Sequence, residues 1–297
     1  MSNKFVSVAV ALVGAGSLLT GCNFEQPNAG CIVQDASFAN WVAKYELKNP
    51  ESIPTSCQAR LTIGNGATFG GGGEQWGVFK FADPDKAGSS VLTIRPAGLY
   101  SRAALDICDA DTQARLIKAA EGESASEIQA LKDALARECT PDEGQSTYAQ
   151  TAVGSLAEEV GSDDFCTTSN WKAGWVEPRP TGQLNPDVAP TTKISYLFEN
   201  VKVYAAPSAP GTQLSADLKY TRDECTAEFK VRAIWPAVPC NPNSERASER
   251  CGDRSGINPN FAVVCDTSFR ISNAVDSSGA FVYPGTCVAQ NEIPSFK

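Results

Sequence analysis

The fold of this chain is restricted above all by its eleven cysteines, which are spread over almost its whole length. Cysteines at such positions either hold metal ions or form disulfide bridges. Cysteine-rich zinc sites use closely spaced ligand pairs, but the sequence has no CxxC pair and no histidine. We therefore predict disulfides, with no metal and no other cofactor. The cysteines are Cys22, Cys31, Cys57, Cys108, Cys139, Cys166, Cys225, Cys240, Cys251, Cys265 and Cys287.

The lack of histidine also excludes familiar kinds of catalytic site, including Ser-His-Asp and Cys-His arrangements. An enzyme would have to use carboxylates, a Ser–Lys pair, tyrosine or a metal held by oxygen atoms. Asp109 and Asp111 resemble the start of a calcium loop, but Ala114 and Ala120 stand where such a loop requires Gly and Glu. The sequence thus contains no catalytic motif, and we predict that the chain is not an enzyme.

The N-terminus has the layout of an export signal. Lys4 is followed by fifteen uncharged residues, Phe5 to Leu19, a run too short to cross a hydrocarbon core of roughly 30 Å as a helix. The following residues, Leu19-Thr20-Gly21-Cys22, resemble the lipobox of bacterial lipoproteins. This resemblance implies that residues 1–21 are a signal peptide, that Cys22 receives a diacylglycerol, and that its new amine is acylated.

Residues 22–30 are expected to form the lipidated cysteine and a short tether. In enteric bacteria, an aspartate directly after the lipidated cysteine retains the lipoprotein in the inner membrane. This chain has Asn23 at that position, which favours the outer membrane. The formal net charge of −9 repels the phosphates of nucleic acids, so no nucleic-acid partner is expected. The expected partners are the membrane, through the lipid, and envelope proteins or glycans.

Setting Cys22 aside leaves ten cysteines in an oxidising compartment, so five bridges are expected. Apolar residues at helical spacing predict two helices within residues 109–138, separated at Gly122 and with a capping box at Ser124 and Glu127. The hairpin returns its ends to one place, which predicts a Cys108–Cys139 bridge. For the others we considered local pairing: Cys240–Cys251, Cys265–Cys287, Cys31–Cys57 and Cys166–Cys225.

The remaining segments predict mostly β structure. Residues 75–81 and 91–94 resemble strands, and the four glycines at 70–73 predict a flexible surface loop. Residues 140–192 favour an irregular connection. Alternating apolar residues from 194 to 235 predict a three-stranded meander with a bulge at Asn200, and a last strand pair includes 280–283.

The stretch around Cys225, the Pro239-Cys240 turn, the Gly256-Ile257-Asn258-Pro259 loop and Cys265-Asp266 resemble predicted lipoproteins of myxobacteria. This similarity covers about a quarter of the chain. It implies an outer-membrane or surface lipoprotein and assigns no activity.

Two surface features are candidates for binding. Arg246, Arg250 and Arg254 lie in a charged loop that could contact a partner protein. Asp163 and Asp164 with Trp171 and Trp175 would suit a glycan site, where carboxylates provide acid–base groups and aromatic rings stack on sugars.

We therefore predict a β-rich α+β fold, with an antiparallel sheet or sandwich and an inserted, disulfide-stapled helical hairpin. An N-terminal lobe at 31–192 and an antiparallel β lobe at 193–297 are expected, and they are compatible with a single domain. The predicted function is that of a non-enzymatic, lipid-anchored envelope protein with a structural or partner-binding role. The alternative is a surface protein that binds or processes glycans.

Overall fold

The computed structural model describes residues 30–108, 110–139, 149–178 and 192–297. Residues Cys31–Lys297 form one compact unit. The predicted signal peptide, Cys22 and the proposed tether up to residue 29 lie outside the described residues. Nine strands make the main sheet: β1 (Trp41–Leu47), β2 (Gly71–Ala82), β3 (Ser90–Pro96), β4 (Ala152–Leu156), β5 (Phe165–Lys172), β6 (Gly174–Val176), β7 (Ile194–Tyr204), β8 (Gln213–Arg222) and β9 (Cys225–Ile234).

The main sheet is antiparallel and closes on itself. Its strand order is β5-β4-β3-β2-β1-β9-β8-β7-β6, and β5 also pairs with β7. Strand β1 joins the two halves of the chain because it pairs with β2 on one side and with β9 on the other. The segments 31–192 and 193–297 therefore contribute strands to the same sheet. The β-rich character with a large antiparallel sheet is confirmed.

The interior of the sheet is filled by the apolar residues that alternate along its strands. From Cys225 to Ala233 in β9, for example, the inward side chains are buried and the outward ones are exposed or half-buried. Asn200 has a positive φ of 50°, and the β7–β8 register shifts between Glu199 and Lys202. The predicted bulge is thus confirmed, and it keeps Val201 and Val203 inside the sheet.

The glycine-rich segment is part of the core, so its interpretation as a flexible surface loop was wrong. Residues Gly71–Gly73 begin β2, and Gly73 pairs with Lys44 of β1. A Cβ at Gly73 would lie 2.2 Å from the carbonyl oxygen of Ala43 and 2.6 Å from the ring of Phe269. Glycine is needed here because two backbones and an aromatic ring approach closely. From composition alone, a glycine required for such close packing cannot be told from a glycine in a flexible loop.

The segment expected to be an irregular connection also needs correction, because it supplies β4, β5 and β6 to the main sheet. Its Gly, Ser and Thr residues have little apolar pattern of their own. Pairing with β3 and β7 overrides this weak local preference. A Cβ at Gly154 would lie 2.5 Å from the ring of Trp171, so the glycine of β4 makes room for this tryptophan of β5.

Four helices accompany the sheets: α1 (Thr55–Gln58), α2 (Ala97–Ala103), α3 (Ala110–Ala119) and α4 (Ala125–Glu138). Helices α3 and α4 are the predicted hairpin. Ser124 and Glu127 form the predicted capping box, in which the Ser124 amide donates to the Glu127 carboxylate at 2.9 Å. The structure has a Cys108–Cys139 bridge with a Cα–Cα distance of 5.4 Å. Two 3₁₀ turns, Pro50–Ser52 and Ala247–Arg250, complete the helical elements in the described residues.

A second sheet consists of three short strands near the C-terminus, in the order β10-β12-β11. Residues 280–283 do not form the predicted strand: Asp276 accepts backbone hydrogen bonds from Ser278 and Ala280, and only an isolated bridge joins Val275 to Phe281. The strand instead starts at Gly285. The three strands are β10 (Pro239–Cys240), β11 (Val263–Asp266) and β12 (Gly285–Ala289).

The local disulfide pairing was wrong for eight of the ten cysteines, which form the bridges Cys31–Cys166, Cys57–Cys225, Cys240–Cys265 and Cys251–Cys287. The first two bridges span 135 and 168 residues because closure of the sheet brings distant segments together. In the small sheet, Cys265 lies opposite Cys287 in register but bonds to Cys240. Gly285 makes room for the Cys265 sulfur in this bridge, because a Cβ at position 285 would crowd that sulfur at 3.1 Å.

Within the described part of the chain, no helix is both long and apolar enough to cross a membrane.

Candidate functional site

One end of the closed sheet opens into a cleft of about 410 Å³, which we call the mouth cleft. Strands β2, β7 and β8 supply its floor, and α2 covers one side. The loop that precedes β2 and the segment that follows β11 form the remaining walls. Its size is within the range of sites for small molecules. The side chains and backbone that line it include Glu74, Gly98, Arg102, Tyr196, Tyr220, Arg222 and Arg270.

Glu74 is a buried carboxylate at the floor of the cleft. Its Oε1 accepts a hydrogen bond from the hydroxyl of Tyr45 at 2.8 Å, and its Oε2 accepts one from the backbone amide of Gly98 at 2.5 Å. The Tyr45 hydroxyl in turn accepts from the indole of Trp76 at 2.7 Å. Both carboxylate oxygens of Glu74 therefore have fixed partners.

Burial raises the pKa of Glu74 to about 7, because the charged form loses its hydration. The hydrogen bonds from Tyr45, Gly98 and Tyr196 act in the opposite direction and favour the carboxylate. Glu74 thus exchanges its proton near neutral pH, unlike an exposed glutamate. Among the described residues that line the mouth cleft, it is the only acidic one.

Tyr196 and Tyr220 complete the floor beside Glu74. Their rings meet edge to face with centroids 4.9 Å apart, and both side chains are almost fully buried. Burial raises the pKa of both phenols, so both are neutral in any physiological range. A Cβ at Gly98 would lie 2.4 Å from the Tyr196 hydroxyl, so this glycine lets α2 close onto the floor.

Three arginines from separate segments surround the opening: Arg102 of α2, Arg222 at the end of β8 and Arg270 after β11. The guanidinium of Arg270 lies 3.7 Å above the ring of Phe281, which orients its plane. The backbone amide of Arg270 donates to the carbonyl of Asn65 at 3.0 Å, which joins the two loops at the rim. The cleft therefore concentrates positive charge in a chain of net charge −9.

The arginines of the predicted partner loop lie elsewhere. Arg246, Arg250 and Arg254 are exposed around the 3₁₀ turn before Cys251, and Arg246 forms an ion pair with Glu249. Two bridges brace this loop at its ends, through Cys240 and Cys251. The structure thus places Arg246 and Arg250 on a braced surface loop and Arg254 just beyond it, and none of these three described residues lines the mouth cleft.

The four residues of the proposed glycan site are not brought together. Asp163 and Asp164 precede β5, and Trp171 lies near its other end, a separation of about 20 Å along a strand that rises roughly 3.3 Å per residue. Trp171 packs on the core residue Phe198 with ring centroids 5.7 Å apart. Trp175 lies under the ammonium group of Lys193 at 5.1 Å.

The sulfur atoms of Cys240, Cys251 and Cys287 lie within 4.8 Å of one another. All three belong to disulfides, and a disulfide sulfur cannot act as a thiolate ligand. This cluster is therefore the contact between two neighbouring bridges in the core of the small sheet.

Sequence reasoning missed Glu74, Tyr196 and Tyr220 as site residues. A signal for Glu74 was present: it shares the phase of Trp76 and Val78 in a period-two strand, so its side chain must point inward with theirs. The assumed surface loop at 70–73 concealed this pattern. Nothing in the local sequence indicates that Arg222 and Arg270 approach the same opening.

Comparison with known proteins extends the similarity noted near the C-terminus to the whole chain. A protein of Myxococcus xanthus named "Putative lipoprotein MlpA" is 34% identical over 301 aligned residues, which cover all of both chains. No solved structure matches. The family model MlpA matches residues 39–236, which include every strand of the main sheet. The resemblance to myxobacterial lipoproteins is thereby confirmed, and the chain belongs to the MlpA family.

Proposed function

We propose that this protein is a lipid-anchored protein of the bacterial outer membrane whose folded body binds a small molecule in the mouth cleft. The anchor is Cys22, and residues 23–30 reach at most about 30 Å from the membrane, since an extended residue spans roughly 3.5 Å. The name of the Myxococcus xanthus relative supports the lipoprotein part of this proposal. The mouth cleft supports the binding part.

The binding role is supported by two features of the cleft together. Its floor is fixed by hydrogen bonds, and the arginines at its opening form no ion pair with the described residues. Both oxygens of Glu74 are engaged by Tyr45 and Gly98, so this carboxylate is held by the fold. The part of the cleft lining that the structure describes contains no paired carboxylates, which glycan-cleaving enzymes require. These features favour binding over catalysis. Partner contact at the loop of Arg246, Arg250 and Arg254 stays a separate prediction.

The anchor is tested by Cys22→Ser. We expect the variant to lose acylation and membrane retention, because serine has no thiol to receive the diacylglycerol and two or three acyl chains are needed for stable anchoring. Fractionation of the producing cells, with mass spectrometry of the N-terminus, measures both. Cys108→Ser with Cys139→Ser is the control and should stay in the membrane fraction. An unchanged membrane fraction for Cys22→Ser would contradict the anchor.

Binding is tested by filling the opening with Ser101→Trp, which places an indole at an exposed position of α2 that lines the cleft. The detergent-solubilised protein is incubated with the small-molecule fraction of a periplasmic extract and studied by native mass spectrometry. We expect the wild-type protein to retain an additional mass that Ser101→Trp lacks. Ala130→Trp, on the exposed face of α4, is the matched control and should retain it. Absence of the mass in all three proteins would contradict a binding role.

A further inference from the structure

The charges around the mouth cleft indicate what kind of ligand it takes. Of its lining residues, three are arginines and one is acidic. Among the described residues, no carboxylate lies within 4 Å of the guanidinium nitrogens of Arg102, Arg222 or Arg270, whereas exposed Arg60 and half-buried Arg232 each have a carboxylate partner. Within the described residues, no ion pair thus neutralises these three arginines, and they outnumber the one acidic residue of the cleft.

Two of these arginines also have buried donors without acceptors. The Nε atoms of Arg222 and Arg270 are inaccessible and have no hydrogen-bond partner in the part of the chain that the structure describes. Buried donors are nearly always satisfied in folded proteins, because an unsatisfied one costs free energy. Because these Nε atoms have no accessible surface, a ligand in the cleft would be contacted by the terminal nitrogens of the same guanidinium groups.

The chemistry of the guanidinium defines the ligand class. Arginine presents a planar fork of donors that matches the oxygen atoms of a carboxylate or a phosphate, often with two hydrogen bonds at once. The ring of Phe281 holds the plane of Arg270, so less ordering is needed when an anion binds. The neutral hydroxyls of Tyr196 and Tyr220 and the side chain of Asn273 can take further hydrogen bonds from a polar ligand.

We infer that Arg102, Arg222 and Arg270 form the binding site for a small anion that carries a carboxylate or phosphate group. This inference rests on the proposed function, because it names the ligand class of the same cleft. The negative charge of the rest of the chain does not prevent it, since a cleft between low-dielectric walls focuses the field of its own charges.

The test is isothermal titration calorimetry of the mature, detergent-solubilised protein at constant ionic strength. The probes are succinate for the carboxylate arm, inorganic phosphate for the phosphate arm, and succinamide as the neutral counterpart of succinate. We expect binding of at least one anion and none of succinamide. We expect Arg222→Gln and Arg270→Gln each to weaken that binding about tenfold or more, the effect of losing one charge-assisted hydrogen bond.

Arg250→Gln is the matched control, because it removes the same charge from the exposed loop outside the cleft. Arg222→Lys keeps the charge without the fork and should bind more weakly than the wild type but more tightly than Arg222→Gln. Thermal melting shows whether each variant is folded. If Arg222→Gln or Arg270→Gln does not fold, Arg102→Gln is measured instead, because Arg102 is partly exposed on α2.

The results separate the two proposals. If neither anion binds at about 10 mM, or if binding is unchanged in Arg222→Gln and Arg270→Gln, the anion inference is overturned. If the native mass spectra still show a ligand that Ser101→Trp excludes, the binding function stands with a neutral ligand. If neither experiment detects a ligand, both proposals fail.

Discussion

Replacing Glu74 with glutamine is expected to raise the free energy of unfolding by about 3 kcal/mol at pH 8 and to change it little at pH 4. Burial raises the pKa of this carboxyl to about 7 in the folded protein, from an ordinary value of 4.5. The folded state therefore binds more protons than the unfolded state between these values. The wild type is therefore most stable below pH 4.5, and its free energy of unfolding falls as the pH rises from 4.5 to about 7. Above that pH the wild type has lost the whole contribution of about 3 kcal/mol.

The measurement is chemical denaturation of the wild type and Glu74→Gln over this pH range. Glutamine has the shape of the protonated acid, so its carbonyl can still accept from the amide of Gly98. Glu121→Gln is the control, since it removes one carboxylate from an exposed turn. A difference between Glu74→Gln and the wild type that is the same at pH 8 and pH 4 would show that Glu74 is not a titrating group of the core.

Gly73→Ala is expected to destabilise the protein by about 3 kcal/mol, the upper end of the range typical of an overfilled core. The added Cβ would lie 2.2 Å from the Ala43 carbonyl oxygen, which belongs to the backbone of β1 and cannot rotate away. The same Cβ would meet the ring of Phe269 at 2.6 Å. Strand β1 joins the two halves of the sheet, so its displacement affects the whole closed structure.

Gly77→Ala, four residues further along β2, is the matched control. Its Cβ would have ordinary contacts, the nearest at 3.4 Å to the Phe79 ring. We expect it to be neutral or to stabilise by about 0.5 kcal/mol, because glycine weakens a strand interior. Thermal and denaturant unfolding compare the two variants. Equal stability of Gly73→Ala and Gly77→Ala would contradict the close approach of β1 to Gly73.

The close approach at Gly73 bears on the mouth cleft as well as on stability. Glu74 is the next residue of β2, and its carboxylate accepts from Gly98, so a shift of β2 at Gly73 would also move this carboxylate. Gly73→Ala should therefore also reduce ligand retention in native mass spectrometry. The glycine segment supports the floor of the site, although it contributes no group that could contact a ligand.

Much of the secondary structure follows from short-range patterns. The alternation in β8 and β9, the bulge at Asn200 and the capping box at Ser124 each depend on residues within a few positions of one another. The expected bridge between Cys108 and Cys139 is of the same kind, because a helical hairpin returns its ends to one place. The even number of cysteines after Cys22 and the lack of histidine also follow from composition alone.

The closed sheet, most of the disulfide pairing and the mouth cleft depend on contacts between residues far apart in the chain. Cys57 meets Cys225 across 168 positions, and Glu74 shares one cleft with Tyr196 and Arg270. No local pattern encodes these meetings, because strand neighbours are selected by the burial of all inward faces at once. Local sequence could thus predict some of the strands, such as β8 and β9, and the covalent chemistry of the cysteines, but not β4, β5 and β6. Which side chains converge on the cleft is set by the closure of the sheet, where β5 pairs with β7.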